Sequence, residues 1–263
     1  MKLHHLRSAT FIIESGEHHI LVDPMLGAAG SIPPFSVARF KAQRNPTVNL
    51  PDNASALLDK VNHCLITHSQ TFGIKLLQHL DHLDSAGQQR LVEGNIAVTA
   101  PDKDSAYLGK LGLNVTQALA PWTPTPFLGG TITAVPCQHG HGWIHSVMAN
   151  GYGFFIELPG EPSLYISGDT VLTQHVRRAL TELKPDIAIL AAGQAQMDVG
   201  KPLLMAGEEL LEFVRLAPGT VVANHMEALN HCPVDRATFA AMTEQAGLSS
   251  RVRIPADGET LAF

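Results

Sequence analysis

The feature that most constrains the fold is an order of elements that runs twice along the chain. The first half opens with short β segments, KLHHLR, ATFIIES and HHILVDP, joined by turn signals, with SGEH as a hairpin turn. It then alternates: helix ASALLDK, strand HCLIT, an amphipathic stretch over about 73–93, strand NIAVTA, and a helix opened by Asp102 or Asp104. The second half repeats the plan. TITAVPC, YGFFIEL and SLYISGD come first, then helix TQHVRRALTEL, strand DIAILAAG, helix AGEELLEFVRL, strand TVVAN, helix PVDRATFAAMTEQAG and strand RVRIP. Strands first and alternation second, in both halves, predicts two sheets packed together with helices outside. No linker or shift of composition divides the 263 residues, so a single α/β domain of four layers over 1–263 is expected.

Charge and composition narrow the function classes. The net charge is −6 and no run of Lys or Arg exceeds two, which argues against a nucleic-acid partner or a polybasic membrane patch. The apolar run near the N-terminus is too short for the core of a signal peptide, and no stretch approaches the ~20 residues of a bilayer span. Cys64, Cys137 and Cys232 are widely spaced and form no CxxC, so neither a zinc ribbon nor a disulfide framework is expected. The expectation is a cytoplasmic protein with a small-molecule substrate or ligand, no nucleic acid and no membrane; oligomeric state is not legible.

Histidine is over-represented, at fourteen residues. Its uses at neutral pH are metal ligation and proton transfer. Three histidines and an aspartate stand at the C-terminal ends of predicted strands: His68, His139, Asp169 and His225. Each has a plain alternative; Asp169 would serve as the cap of the following helix, and His225 as a satisfied strand-end residue. Their recurrence at four strand ends favours a shared site, because loops on a rigid sheet bring distant residues together. Residues 24–52, rich in Pro, Gly and Asn, read as a long loop, with Pro33, Pro34, Phe35 and Phe40 as a candidate pocket wall.

The segments SATFIIESGEHHILVDPML, VNHCLITHS, TAVPCQHG, LYISGDT, PDIAILAAG and VVANHMEALNH occur in an order that resembles the metallo-β-lactamase fold superfamily, in its branch akin to the ascorbate-6-phosphate lactonases. The resemblance implies an αβ/βα sandwich with one or two metals, usually zinc, at one edge, activating a water to hydrolyse an ester, lactone, amide or phosphoester. Its H-x-H-x-D-H motif begins at His68. Aligned without a gap, Gln70, Phe72 and Gly73 replace the second histidine, the aspartate and the last histidine. Downstream, His139, Asp169 and His225 match the later ligands. A degenerate site follows, holding at most one divalent metal through His68, His139, Asp169 and His225: zinc, with manganese or iron(II) as alternatives, or no metal at all.

Asp169 would then ligate or orient the water, and His231 would hydrogen-bond substrate. The string HLDH at 79–82 spells the missing half of the motif. A helix starting near Phe72, however, would carry it roughly 10–15 Å from His68 at about 1.5 Å per residue, so it reads as a solvated helix face. His141 competes with His139 as a ligand, His145 reads as a loop residue near the pocket, and a Cys232 nucleophile lacks an assignable base. The predicted function is hydrolysis of a small ester or lactone. The alternative is a catalytically silent member that binds a small molecule or partner in the same cleft, an idea resting on the apolar ring of Phe72.

Overall fold

The computed structural model describes residues 1–70, 72 and 78–263. Among them are two seven-stranded sheets. The first runs β14 (Thr260–Ala262), β1 (Lys2–Arg7), β2 (Thr10–Ser15), β3 (His18–Val22), β4 (His63–Leu65), β5 (Ala97–Pro101), β6 (Asn114–Leu119). The second runs β13 (Val252–Arg253), β12 (Thr220–Asn224), β11 (Ile187–Ala191), β10 (Leu164–Ile166), β9 (Tyr152–Glu157), β8 (Gly130–Pro136), β7 (Thr125–Phe127).

Alternation along the strands explains the layering. Phe11 and Ile13 of β2 face Phe154 and Ile156 of β9 in the core between the sheets. The intervening Ile12 points outward to Leu58, Leu91 and Leu108 of α1 (Ala54–Leu58), α2 (Ser85–Glu93) and α3 (Asp102–Lys110). Phe155 likewise turns outward, to Val176, Phe213 and Phe239 of α4 (Gln174–Arg178), α5 (Glu208–Leu216) and α6 (Arg236–Gln245). Helix, sheet, sheet, helix is the αβ/βα sandwich that the repeated element order predicts.

The capping of two elements differs from the sequence reading. Thr173 caps α4 by accepting from the Val176 N–H, which frees Asp169 from the cap role considered for it. Among the described residues of the amphipathic stretch from 73, the helix covers Ser85–Glu93, where the Asp84 carboxylate accepts from the Gly87 N–H. Residues 73–77 lie outside the described residues, and 80–83 form turns and a bend. The 24–52 segment is irregular apart from a bridge between Ile32 and Asn45. Its near end is held by the buried Arg7 guanidinium, which donates to the carbonyls of Met25, Gly27 and Val48.

Candidate metal centre

Strand direction assembles the site. Strands β3 and β4 run parallel, as do β10, β11 and β12, while β9 lies antiparallel between β8 and β10. The C-terminal ends of β4, β8, β10 and β12 deliver His68, His139, Asp169 and His225 to one edge of the sandwich. All four predicted residues are buried there. Close approach requires glycine at two points. A Cβ on Gly151 would sit 2.5 Å from the His68 Cβ, and one on Gly193 would sit 2.0 Å from the His225 carbonyl oxygen.

Two groups of donor atoms result, His68, His79 and His139 in one and Asp81, His82, Asp169 and His225 in the other, each with its atoms within 4.8 Å of one another. In the first, His68 Nε2 lies 3.1 Å from His79 Nδ1. In the second, Asp169 Oδ2 lies 3.2 Å from His82 Nε2 and 3.4 Å from His225 Nε2, and Asp81 Oδ2 is 3.7 Å from His82 Nε2. Asp169 Oδ2 is also 3.7 Å from His139 Nε2, which places this carboxylate between the groups.

This arrangement corrects the reading of residues 68–82. Gln70 bridges to Gln78, and the His79 N–H donates to the Ser69 carbonyl at 2.9 Å. His79, Asp81 and His82 therefore stand beside His68 instead of along a helix leading away from it. Helical rise was the wrong ruler for HLDH. Phe72, expected to mark a lost ligand, is 70% exposed and belongs to neither donor group. Gln70 donates to the Asp104 carboxylate. Gly73 lies outside the described residues. Where the sequence reading expected one degenerate set, the described residues bring together two groups of donors. Sequence reasoning missed His79, Asp81 and His82, although HLDH spelled them.

The partners of the ring nitrogens settle which atoms face inward. Thr67 Oγ1 donates to Asp23 Oδ2, so it accepts from the His68 Nδ1–H, leaving the Nε2 lone pair for the site. His139 Nδ1 donates to the Leu203 carbonyl, and His82 Nδ1 faces Asp23 Oδ2 at 2.9 Å. His225 Nδ1 lies 3.7 Å from the Cys232 sulfur. Each of these four rings is held from behind at Nδ1 with Nε2 aimed at the cluster, as metal-ligating histidines generally are.

Electrostatics test whether the residues fit a cation. In the first group burial pushes His79 down to about 3 and holds His68 well below the usual range, with neighbouring histidines adding to the effect. Neutral rings whose nitrogens converge at 3.1 Å suit a shared cation. In the second group burial alone would discharge His82, but Asp169, Asp23 and Asp81 outweigh it and push it up to about 10. Burial would raise Asp169, yet His225 and His82 hold it well below the carboxylate range. The pocket accommodates positive charge. A divalent cation among the same atoms would take the place of any protons they hold. The donor set fits divalent metal, with imidazole and carboxylate as its ligand types.

Beside the centre opens a cavity of 230 Å³ lined by Phe35, Val147, Met148, Met197 and Leu203 on its apolar side and by Gln78, His79, Asp81, His139 and His231 on its polar side. Phe35 comes from the 24–52 loop. Its backbone is fixed by Asn230, whose side-chain oxygen accepts from the Phe35 N–H at 2.9 Å. Pro33, Pro34 and Phe40 are not among its lining residues. Buried His231 packs edge-on against Phe35 with ring centroids 4.9 Å apart. His141 lies 2.9 Å from Glu209 and belongs to neither donor group, which leaves His139 as the donor of that loop.

Sheets stacked between helices, with histidine and carboxylate donors at the edge, define a metallo-β-lactamase fold. The chain belongs to the β-lactamase superfamily: residues 18–226 match the family model described as the beta-lactamase superfamily domain. It is similar to a crystal structure of an isothiocyanate hydrolase from Delia radicum gut bacteria, with 31% identity, a TM-score of 0.87 and coverage of 100% of this chain and 99% of that one. The UPF0173 protein YddR of Bacillus subtilis is 27% identical over the whole of both chains. A UPF0173 metal-dependent hydrolase of Azorhizobium caulinodans is 24% identical over 99% of each. Among the described residues no helix is long and apolar enough to cross a membrane.

Proposed function

We propose that this chain is a hydrolase working with two divalent cations, zinc in the first place, held by His68, His79 and His139 on one side and Asp81, His82 and His225 on the other, with Asp169 shared. The observation that carries the reading is the pair of donor groups meeting at Asp169 Oδ2. Bound divalent cations supply Lewis acidity and acidify water at neutral pH. The chain's own residues orient and exclude. Asp169 accepts a hydrogen bond from the attacking water, the apolar wall of Phe35, Met197 and Leu203 keeps bulk water out, and His231 hydrogen-bonds the departing atom of the substrate.

The cavity favours a small neutral substrate. No lysine or arginine is among its described lining residues, so a phosphoester would find no cationic side chain there. Small esters and lactones fit this description. A second chemistry is favoured by the 31% identical relative, whose substrate class is the isothiocyanates. There water oxygen bonds to the central carbon of R–N=C=S, the C–N bond breaks, nitrogen takes the protons, and amine and carbonyl sulfide leave.

Elemental analysis of chain purified without added metal tests the reading. About two ions per chain are expected, falling to about one in either His79→Ala or His82→Ala. Both variants should lose at least ~100-fold in hydrolysis of p-nitrophenyl acetate or phenethyl isothiocyanate, whichever the native chain turns over. Less than a tenth of an ion per chain, unresponsive to the substitutions, would sink the proposal. The silent-binder alternative drew its support from Phe72 standing in a ligand's place, and Phe72 stands outside both groups.

A further inference from the structure

Three loops supply the wall of the cavity beside the metal centre. Phe35 comes from the 24–52 segment, Met197 from the loop after β11, and His231 from the loop after β12. Each stands next in sequence to a residue that ties the loops together: Ser36, Asp198 and Asn230.

Asn230 is the first hub. Its Oδ1 accepts from the Phe35 N–H at 2.9 Å, the Ser36 N–H at 3.4 Å and the Asn45 amide at 3.2 Å. Its Nδ2 donates to the Ser36 carbonyl at 2.6 Å and the Lys41 carbonyl at 3.1 Å. Buried Asn45 braces it in turn, accepting from the Asn230 N–H at 2.8 Å and donating to the Pro33 carbonyl at 3.2 Å. The position calls for asparagine, because one side chain must accept on one atom and donate on the other. An aspartate would set a carboxylate oxygen against the Ser36 carbonyl.

Asp198, the second hub, gathers the next residues of the same loop. Its carboxylate accepts from the buried Ser36 hydroxyl at 2.5 Å and from the N–H groups of Val37, Ala38 and Arg39 at 3.0, 3.0 and 2.9 Å. The Gln196 N–H donates to the His231 carbonyl at 2.9 Å, so the three loops are joined pairwise. None of these hydrogen bonds reaches a member of either donor group. The wall is held by a network of its own, separate from the one that holds the ligands. Half-buried Phe35 offers its ring to the cavity, a surface that an apolar substituent of a substrate would cover.

We propose that Asn230 and Asp198 are positioning residues for substrate selection. They fix Phe35 against Met197 and His231, and so give the cleft its preference for substrates with an apolar substituent. The inference rests on the two-metal hydrolase reading. The test compares kcat/KM for p-nitrophenyl hexanoate against p-nitrophenyl acetate, and for phenethyl against methyl isothiocyanate. Asn230→Asp and Asp198→Ala should each keep two ions and lower the long-to-short ratio by about fivefold or more, through a higher KM for the long-tailed probe. Phe35→Ala should lower the ratio at least as far. Added to Phe35→Ala, neither hub substitution should lower it further, because hub and ring act as one unit. A hub with a merely structural role would add its own cost to that of Phe35→Ala. If Asn230→Asp does not fold, Asp198→Ala decides alone. The inference is overturned by ratios within about twofold of native in the hub variants or in Phe35→Ala, by additive losses in the double variants, or by loss of metal from a folded hub variant. A native chain that holds no metal and turns over neither pair of probes fails the parent reading, a distinct result.

Discussion

At the scale of single residues, the centre depends on side chains that never reach the metal. Asp23 follows β3 and accepts from the Thr67 N–H at 2.8 Å and the Thr67 hydroxyl at 2.7 Å, while standing 2.9 Å from His82 Nδ1. It fixes the His82 ring and makes its Nε2 a better base. Asp23→Asn should weaken metal affinity in the second group by about 10–100-fold and leave the first group filled, as read by competition with a chelator of graded strength. His63 contributes to the pH dependence with a definite sign. It is buried against Phe127, 2.9 Å from the Thr99 hydroxyl, and burial pushes it down to about 4. Between about pH 6.5 and 4 the unfolded chain binds a proton there that the folded chain refuses, so stability falls as the pH falls through that window. The loss is on the order of 2 to 3 kcal/mol. Urea unfolding at matched metal content should show a shallower acid loss in His63→Gln; an unchanged slope would assign it to other groups.

At the scale of elements, α2 joins two parts of the molecule through its cap. Asp84 accepts from the Gly87 N–H with one oxygen and from the Gly27 N–H with the other, each at 2.7 Å, so it starts the helix and pins the 24–52 segment. Asp84→Ala should cost about 1–2 kcal/mol in a denaturant titration. A loss below a few tenths would mean that the Gly27 contact contributes nothing. The same region shows what the sequence could disclose. Strands such as ATFIIES and YGFFIEL were legible because alternation is a local property. Four members of the donor groups were legible because they sit at strand ends, where topology converges. His79, Asp81 and His82 were written plainly as HLDH, yet their proximity to His68 depends on the Ser69–His79 hydrogen bond and on those of Ser69 to Asp104 and of Tyr107 to Gln78. Those contacts cross 35 positions in sequence in one case and 29 in the other, and no periodicity encodes them.

At the scale of the whole molecule, the centre joins the two halves that the sequence repeats. His68, His79, Asp81 and His82 belong to the first sheet's half, and His139, Asp169 and His225 to the second's. Ions bound between them would tie the sheets at one edge, on top of the apolar core from Phe11 to Val222 that joins the sheet faces. A ligand that binds only the folded chain adds about 2.7 kcal/mol at a hundred times its Kd, so two filled sites add about 5 kcal/mol. For a chain of this size that corresponds to roughly 10–20 °C in Tm. Chelation should therefore lower Tm by about that amount, and zinc should restore it. His79→Ala, with one group intact, should show about half the drop. Because the apolar core from Phe11 to Val222 joins the sheet faces whether or not metal is bound, the metal-free chain should still unfold in one transition, at lower temperature. Scanning calorimetry with and without chelator reads both quantities. An unchanged Tm in a chain shown to have lost two ions would mean that the halves are held by their core alone and that the metals serve only chemistry.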